Sequence, residues 1–316
     1  MLSNLIFSLN ATMPIFIIMV VGYILKRINW LTEKPTEVLN KLVFRVFLPA
    51  LLFMDLAKQD FVAMWDNTFV LFCAVTTVVS IIIAGLLSLT DSAKEDRGEI
   101  IQASYRSAAA TLGIAFMTNI YDSVAMVALM IVASVPIYNI VAVLVLSLTS
   151  PENQGVSGKA LFKKTLKSLV TNPIILSIIA GLLWSVLKLP QPVIFVKSVT
   201  YLANVASPLA LIALGASFEF KNIKEKLKPL LLVVFNKLFL FCILFLPLAV
   251  FLGFRDEKLV AALIMLGSAT TSSSFIMAKN MGHKGSISSS AVMTTTLFMS
   301  FTMTLWLFIL KTFGYI

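Results

Sequence analysis

The chain has 316 residues, 59% hydrophobic and only 13% charged, with a mean hydropathy of +0.96. Soluble domains are about a quarter charged, and one soluble core could not hide so many apolar side chains; the composition specifies a polytopic membrane protein and leaves no room for a soluble catalytic domain. The net charge of +10 fits basic cytoplasmic loops better than a nucleic-acid partner, because no basic run is interleaved with aromatics in a soluble segment.

Apolar runs fall at 5–26, 38–57, 65–89, 99–121, 123–148, 167–188, 193–217, 229–253, 258–280 and 287–312. Each is about the length of a membrane-spanning helix. No Lys or Arg precedes the first run, so it reads as a retained span rather than a secretory signal. The second carries Lys41 and Arg45 ahead of Pro49, on one helical face directed at the inner interface. Near the start of the fourth stands Arg106, about two turns from the cytoplasmic end. Snorkelling and a counter-charge at the mouth of an anion path are both open for it. The stretch SAAATLGIAFMTN (Ser107–Asn119) follows. Only Asn119, Tyr121 and Asp122 mark the junction to the fifth run, and nine spans is the alternative count. The fifth holds Pro136 and Asn139. That Asn either repairs the carbonyl freed by the proline or faces a cavity. The polar linker TSPENQGVSGK then divides the chain. In the eighth run Lys237 lies roughly 12 Å deep, with snorkelling and function equally open. The ninth contains LGSATTSSSFIMAKN (Leu266–Asn280).

With the N-terminus outside, the cytoplasmic loops hold 15 basic residues and the outer loops 6, the other four lying within apolar segments. This bias predicts both termini outside and an even number of spans. A repeat is legible at an offset of 159: Pro14 with Pro173, Gly22 with Gly181, Pro49 with Pro208 and Thr111 with Thr270. The halves are 1–150 and 151–316, each of five spans. An odd number inverts the second half, as in secondary transporters with interrupted helices at the midplane.

Spans 4 and 9 are repeat partners poor in Leu and rich in small and hydroxyl residues. Close helix packing is one explanation. The other is an unwound crossing whose freed backbone groups and hydroxyls bind a ligand, with helix N-termini favouring an anion. Cys73 and Cys242 lack CxxC spacing, and His283 is the single histidine, which disfavours metal sites and catalytic triads. Asp55, Asp66, Glu99 and Asp122 sit at span ends, against a carboxylate-based cation pump. No GxxxxGK[ST] motif encodes an ATP-driven engine.

The segments LNKLVFRVFLPALLF (Leu39–Phe53), TNPIILSIIAGLL (Thr171–Leu183) and SPLALIALGASF (Ser207–Phe218), with Pro136, Tyr138, Asn139 and Ile140, resemble auxin efflux carrier family proteins of the bacterial, short-loop kind. The resemblance covers nearly the whole chain. It implies an all-α fold of ten helices as a 5+5 inverted repeat with crossed, interrupted helices 4 and 9. Helices 1, 2, 6 and 7 would form a scaffold, and helices 3–5 and 8–10 a moving unit. It further implies organic-anion substrates such as auxin, malate or malonate. One departure is plain: family members commonly carry proline at the crossing, and here neither span 4 nor span 9 has one.

The expectation is an alternating-access carrier for a small organic anion in the cytoplasmic membrane. It is no enzyme and has no cofactor; coupling to H+ or Na+ is left open. Substrate is expected on Thr111, Leu112, Gly113, Asn139, Ser268, Thr270, Thr271 and Ser272, with Arg106 and Lys237 supplying positive potential. Partners are the bilayer, the anion and, as an open question, a second copy of the chain. The alternatives are a sodium-coupled symporter of the bile-acid type and a non-transporting intramembrane sensor.

Overall fold

The computed structural model describes residues 2–58, 65–90, 94–109, 117, 120–121, 125–153, 163, 165–167, 170–218 and 226–316. The described residues are overwhelmingly helical. Where no water reaches the backbone, a helix satisfies its N–H and C=O groups within its own segment. Five stretches are each long and apolar enough to cross a membrane: Asn67–Ser88, Met126–Thr149, Val193–Ser217, Leu227–Phe251 and Ser286–Thr312.

In chain order the helices are α1 (Leu2–Arg27), α2 (Glu33–Leu42), α3 (Leu48–Ala57), α4 (Asn67–Ser88), α5 (Arg97–Tyr105), α6 (Ala125–Thr149), α7 (Pro173–Val186), α8 (Val193–Ser217), α9 (Leu227–Phe235), α10 (Phe241–Phe251), α11 (Asp256–Gly267), α12 (Ser272–Asn280) and α13 (Ser286–Thr312). Several expected spans are divided. A π-helical turn, Val43–Phe47, joins α2 to α3. Pro49, in the first turn of α3, offers no N–H and crowds the carbonyl four residues back. The wider turn relieves both problems. A second π turn, Asn236–Leu240, joins α9 to α10 and carries Asn236 and Lys237 wholly inside, each 0% exposed.

Helix α4 displays the membrane pattern most clearly. Leu71, Val75, Val78, Ile82 and Leu86 are exposed along one face, whereas Thr76, Thr77 and Ser80 are buried. Apolar-out, polar-in is the reverse of a helix in water and suits a lipid-facing surface.

Helix α1 packs on α8, and α7 packs on α3. Both contacts are made at glycine. A Cβ on Gly22 would stand 2.2 Å from the Ile212 carbonyl oxygen, and one on Gly181 would stand 2.9 Å from that of Phe53. The offset of 159 carries Gly22 to Gly181 and Phe53 to Ile212. The two contacts are therefore reciprocal, as a pseudo-twofold relation between halves requires.

Candidate functional site

Helix α5 stops at Tyr105 and α11 at Gly267. Extended backbone follows each: φ −74°, ψ 124° at Arg106 and φ −74°, ψ 162° at Ser268. The two extended stretches meet antiparallel, Ser107 pairing with Thr270. Ala108 N–H donates to the Ala269 carbonyl at 2.8 Å. Thr270 fastens the join: its Oγ1 donates to the Ala103 carbonyl at 2.8 Å, and its N–H donates to Thr295 Oγ1 at 3.0 Å. Backbone groups freed by one break are thus partly satisfied by the other, which is how irregular backbone persists away from water without proline.

At the join the residue that meets Thr270 is Ser107, four residues before Thr111, the partner that the offset of 159 gives Thr270. The offset of 159 does carry Arg97 to Asp256, the first residues of α5 and α11. But α11 has 12 residues and α5 only 9, so the first break comes earlier. Thr270 accordingly meets Ser107. Thr111, Leu112 and Gly113 lie outside the described residues.

Beside the join is a cavity of about 60 Å³. One wall comes from α3 (Leu48, Leu51, Leu52, Asp55) and α8 (Ser207). The other comes from Arg106, Ser107 and Ala108, from Val135, Tyr138 and Asn139 of α6, and from Thr271, Ser272 and Ser273 at the start of α12.

Arg106 dominates the second wall. It is 2% exposed, so it does not snorkel. Its Nη2 donates to Asn139 Oδ1 at 2.9 Å and to Ser273 Oγ at 2.8 Å, and its Nη1 to Gln102 Oε1 at 3.3 Å. Nε has no acceptor. Among the described residues no carboxylate pairs with this guanidinium. A buried charge held only by neutral acceptors costs several kcal/mol, and a bound anion would offset that cost.

Asn139 positions the guanidinium. Its Nδ2 donates to the Val135 carbonyl at 2.9 Å, leaving Oδ1 for Arg106. Pro136 frees the carbonyl of residue 132, not 135, so this amide is not the repair of the proline gap. Gln102 Nε2 ties α5 to the first turn of α12 through the Ser274 carbonyl, at 2.9 Å. Tyr138 closes the floor, its hydroxyl 3.4 Å from Ser107 Oγ.

The remaining sequence candidates separate. Thr271 is the N-cap residue of α12 but makes no side-chain capping bond. The first-turn N–H groups at Ser272 and Ser273 stay at the cavity, at the positive end of the helix dipole. Ser268 is fully buried with no partner for Oγ, and does not line the cavity. Lys237 lies apart as well. Its Nζ donates to the carbonyls of Met265 and Leu266 at 3.3 and 3.2 Å. That caps the broken end of α11, where a cation is favoured, rather than facing a ligand.

Five polar cavity residues escape sequence reasoning: Asp55, Ser107, Tyr138, Ser207 and Ser273. Ser273 stands in the hydroxyl run and Tyr138 beside Asn139, so both carry a local signal. Ser207 precedes Pro208 within α8. Asp55 was assigned to a span end, yet it lines the cavity half-buried. Glu99 was assigned likewise and is buried: its carboxylate accepts the Gly285 and Ser288 N–H groups at 2.7 and 2.9 Å and so caps α13. His283 is a buried residue whose Nε2 lies 3.0 Å from the Leu146 carbonyl oxygen. At the helix ends, Asp66 caps α4 through Phe69 N–H and pairs with Lys258 at 2.5 Å, which holds its carboxyl below the usual range.

Helices long and apolar enough to cross a membrane, packed around a cavity at a break in two of them, mark a multi-pass membrane protein. The membrane transport protein family model matches residues 7–307. The chain belongs to that family, the auxin efflux carrier family, whose members are transporters rather than enzymes. Comparison with curated protein sequences gives no match.

Proposed function

We propose that the protein is a secondary carrier for a small organic anion. It would work by alternating access as a ten-helix, 5+5 inverted repeat with helices 4 and 9 crossing. The observation that carries the reading is the buried Arg106 guanidinium, which faces the cavity beside the α12 N-terminus with no carboxylate partner among the described residues. Arg106 and the Ser272 and Ser273 N–H groups would receive a carboxylate. Asn139 keeps the guanidinium aimed.

The reciprocal glycine contacts support the repeat. The cavity lies between α3 and α8 on one side and the extended stretch after α5, α6 and α12 on the other. That division matches a scaffold of spans 1, 2, 6 and 7 and a moving unit of spans 3–5 and 8–10. Sliding between the two would expose the cavity to each side in turn. The charge count supports both termini outside the cytoplasmic membrane.

Counter-flow in proteoliposomes tests the reading. Small carboxylates should compete for uptake and their amides should not. Equal competition by amides would remove the case for anion recognition.

A further inference from the structure

A second cavity, of about 440 Å³, is walled by Phe44 and Arg45 of the π turn between α2 and α3, by Asn172 at the start of α7, and by Asn280 and Met281 at the end of α12. It lies toward the end of the molecule that the charge count assigns to the cytoplasm. Phe44 stands one turn before Leu48 of the inner cavity, and Ile276 and Met277 lie between Asn280 and Ser273. These four apolar residues are buried and close one cavity off from the other. The outer cavity is a compartment of its own, separate from the Arg106 site.

Arg45 is the one charged residue in its lining. It is exposed, and no described carboxylate pairs with it. Lys41, a turn nearer the surface, has Glu37 a turn before it; Arg45 has no acidic residue at that spacing. Asn172 supplies a second donor. Its Oδ1 caps α7 by accepting the Ile174 N–H at 2.9 Å, which leaves Nδ2 free to donate. The flanks are apolar. Leu42 and Val46 beside Arg45, and Val170 and Leu176 beside Asn172, are all exposed, as on a surface that faces lipid.

Depth and chemistry together select the occupant. Arg45 lies about 10 Å along the second apolar run, and its long side chain reaches from there toward the headgroup layer. A guanidinium takes two oxygens of a phosphate at once. A water-soluble anion would use Arg45 and leave the apolar flanks unused. A phospholipid uses both.

We infer that this cavity binds the headgroup of an anionic phospholipid, with its phosphate on Arg45 and Asn172 and its acyl chains over Leu42, Val46 and Leu176. The headgroup would bridge the π turn and α7 to the end of α12. The site does not depend on the role of Arg106.

The test is thermal unfolding of the full-length protein in neutral detergent, titrated with phosphatidylglycerol, phosphatidylcholine or glycerol 3-phosphate. Phosphatidylglycerol should stabilise most. Arg45→Gln should weaken it about fivefold, equivalent to about 1 kcal/mol, whereas Lys34→Gln, at an exposed lysine outside the cavity, and Arg106→Gln should leave it unchanged. Asn172→Asp keeps a helix cap but adds a negative charge to the cavity; it should also weaken the lipid, and it serves alone if Arg45→Gln does not fold. Equal stabilisation by phosphatidylcholine would overturn the inference, as would an equal loss in Lys34→Gln, which would mean diffuse attraction to the surface. Glycerol 3-phosphate acting as strongly as the lipid would assign the cavity to a soluble phosphate instead. Stabilisation by propionate that is lost in Arg45→Gln would assign it to the substrate path. Each of these results leaves carboxylate binding at Arg106 standing.

Discussion

Replacing Arg106 with Gln separates a binding guanidinium from a structural one, because the two roles predict opposite effects on the empty protein. A carboxylate about 4 Å from a guanidinium gains about 4 kcal/mol at an effective dielectric near 20. Its loss corresponds to about a thousandfold in Kd. A ligand present at a hundred times Kd stabilises the native state by about 2.7 kcal/mol. After a thousandfold weakening the same concentration gives less than about 0.1 kcal/mol, so the ligand-induced shift in unfolding temperature should vanish. The empty protein should not suffer equally. Arg106 is 2% exposed with an unsatisfied Nε and, among the described residues, no carboxylate partner, so the variant sheds the cost of a buried charge. Gln retains donors for Asn139 or Ser273. Unfolding of the unliganded variant in detergent should therefore fall at the same temperature as the parent or higher. A retained ligand shift would refute the assignment. A fall of several kcal/mol in the empty protein would mean that the guanidinium holds the crossing together instead.

Thr270→Val removes the donor to the Ala103 carbonyl; leaving that buried group unsatisfied should cost about 1–3 kcal/mol, read as a lower unfolding temperature. Lys237→Met strips the cap from the end of α11 and should lower stability while leaving carboxylate affinity unchanged in the same titration; a matching loss of affinity would return Lys237 to the binding site. Gly22→Ala and Gly181→Ala both force Cβ onto a neighbouring carbonyl and should be destabilising. Gly85→Ala meets nothing within 4 Å and should gain about 0.5–1 kcal/mol from helix propensity, so a common response of all three to thermal unfolding would discredit the close-approach argument. Asp66 has its carboxyl lowered by Lys258 and Phe69, so its contribution is present above the ordinary carboxylate value and lost as pH falls through the lower folded value. Asp66→Asn, which still caps a helix, should flatten that acid limb in a pH series of unfolding temperatures.

Much of this was legible in the residues. Hydropathy alone specifies membrane helices, and Gly22 and Gly181 mark two close helix contacts because only glycine admits a backbone carbonyl so close. The hydroxyl run at 268–274 marks the second break. The exact register of the crossing was not legible. A longer α11 than α5 shifts the first break, and length differences within apolar sequence leave no local signal. The role of Lys237 was hidden for a related reason: a lone lysine in an apolar run reads the same whether it meets an anion or a carbonyl. Asp55 was missed because its meaning depends on what faces it. Sequence distance to Arg106 carries no information about a wall contributed by another helix.

The join at the crossing also bears on how the chain is made. The donor that satisfies the Ala103 carbonyl lies 167 residues further along the chain, and Ser273 is equally far from Arg106. At about 5–20 residues per second, a ribosome needs roughly ten to thirty seconds to supply those partners. Throughout that interval the first half lacks the Thr270 donor to its open main chain, and Arg106 has only Gln102 and Asn139 to bond. Its final form is therefore settled only when the second half arrives, and the two halves mature as one unit.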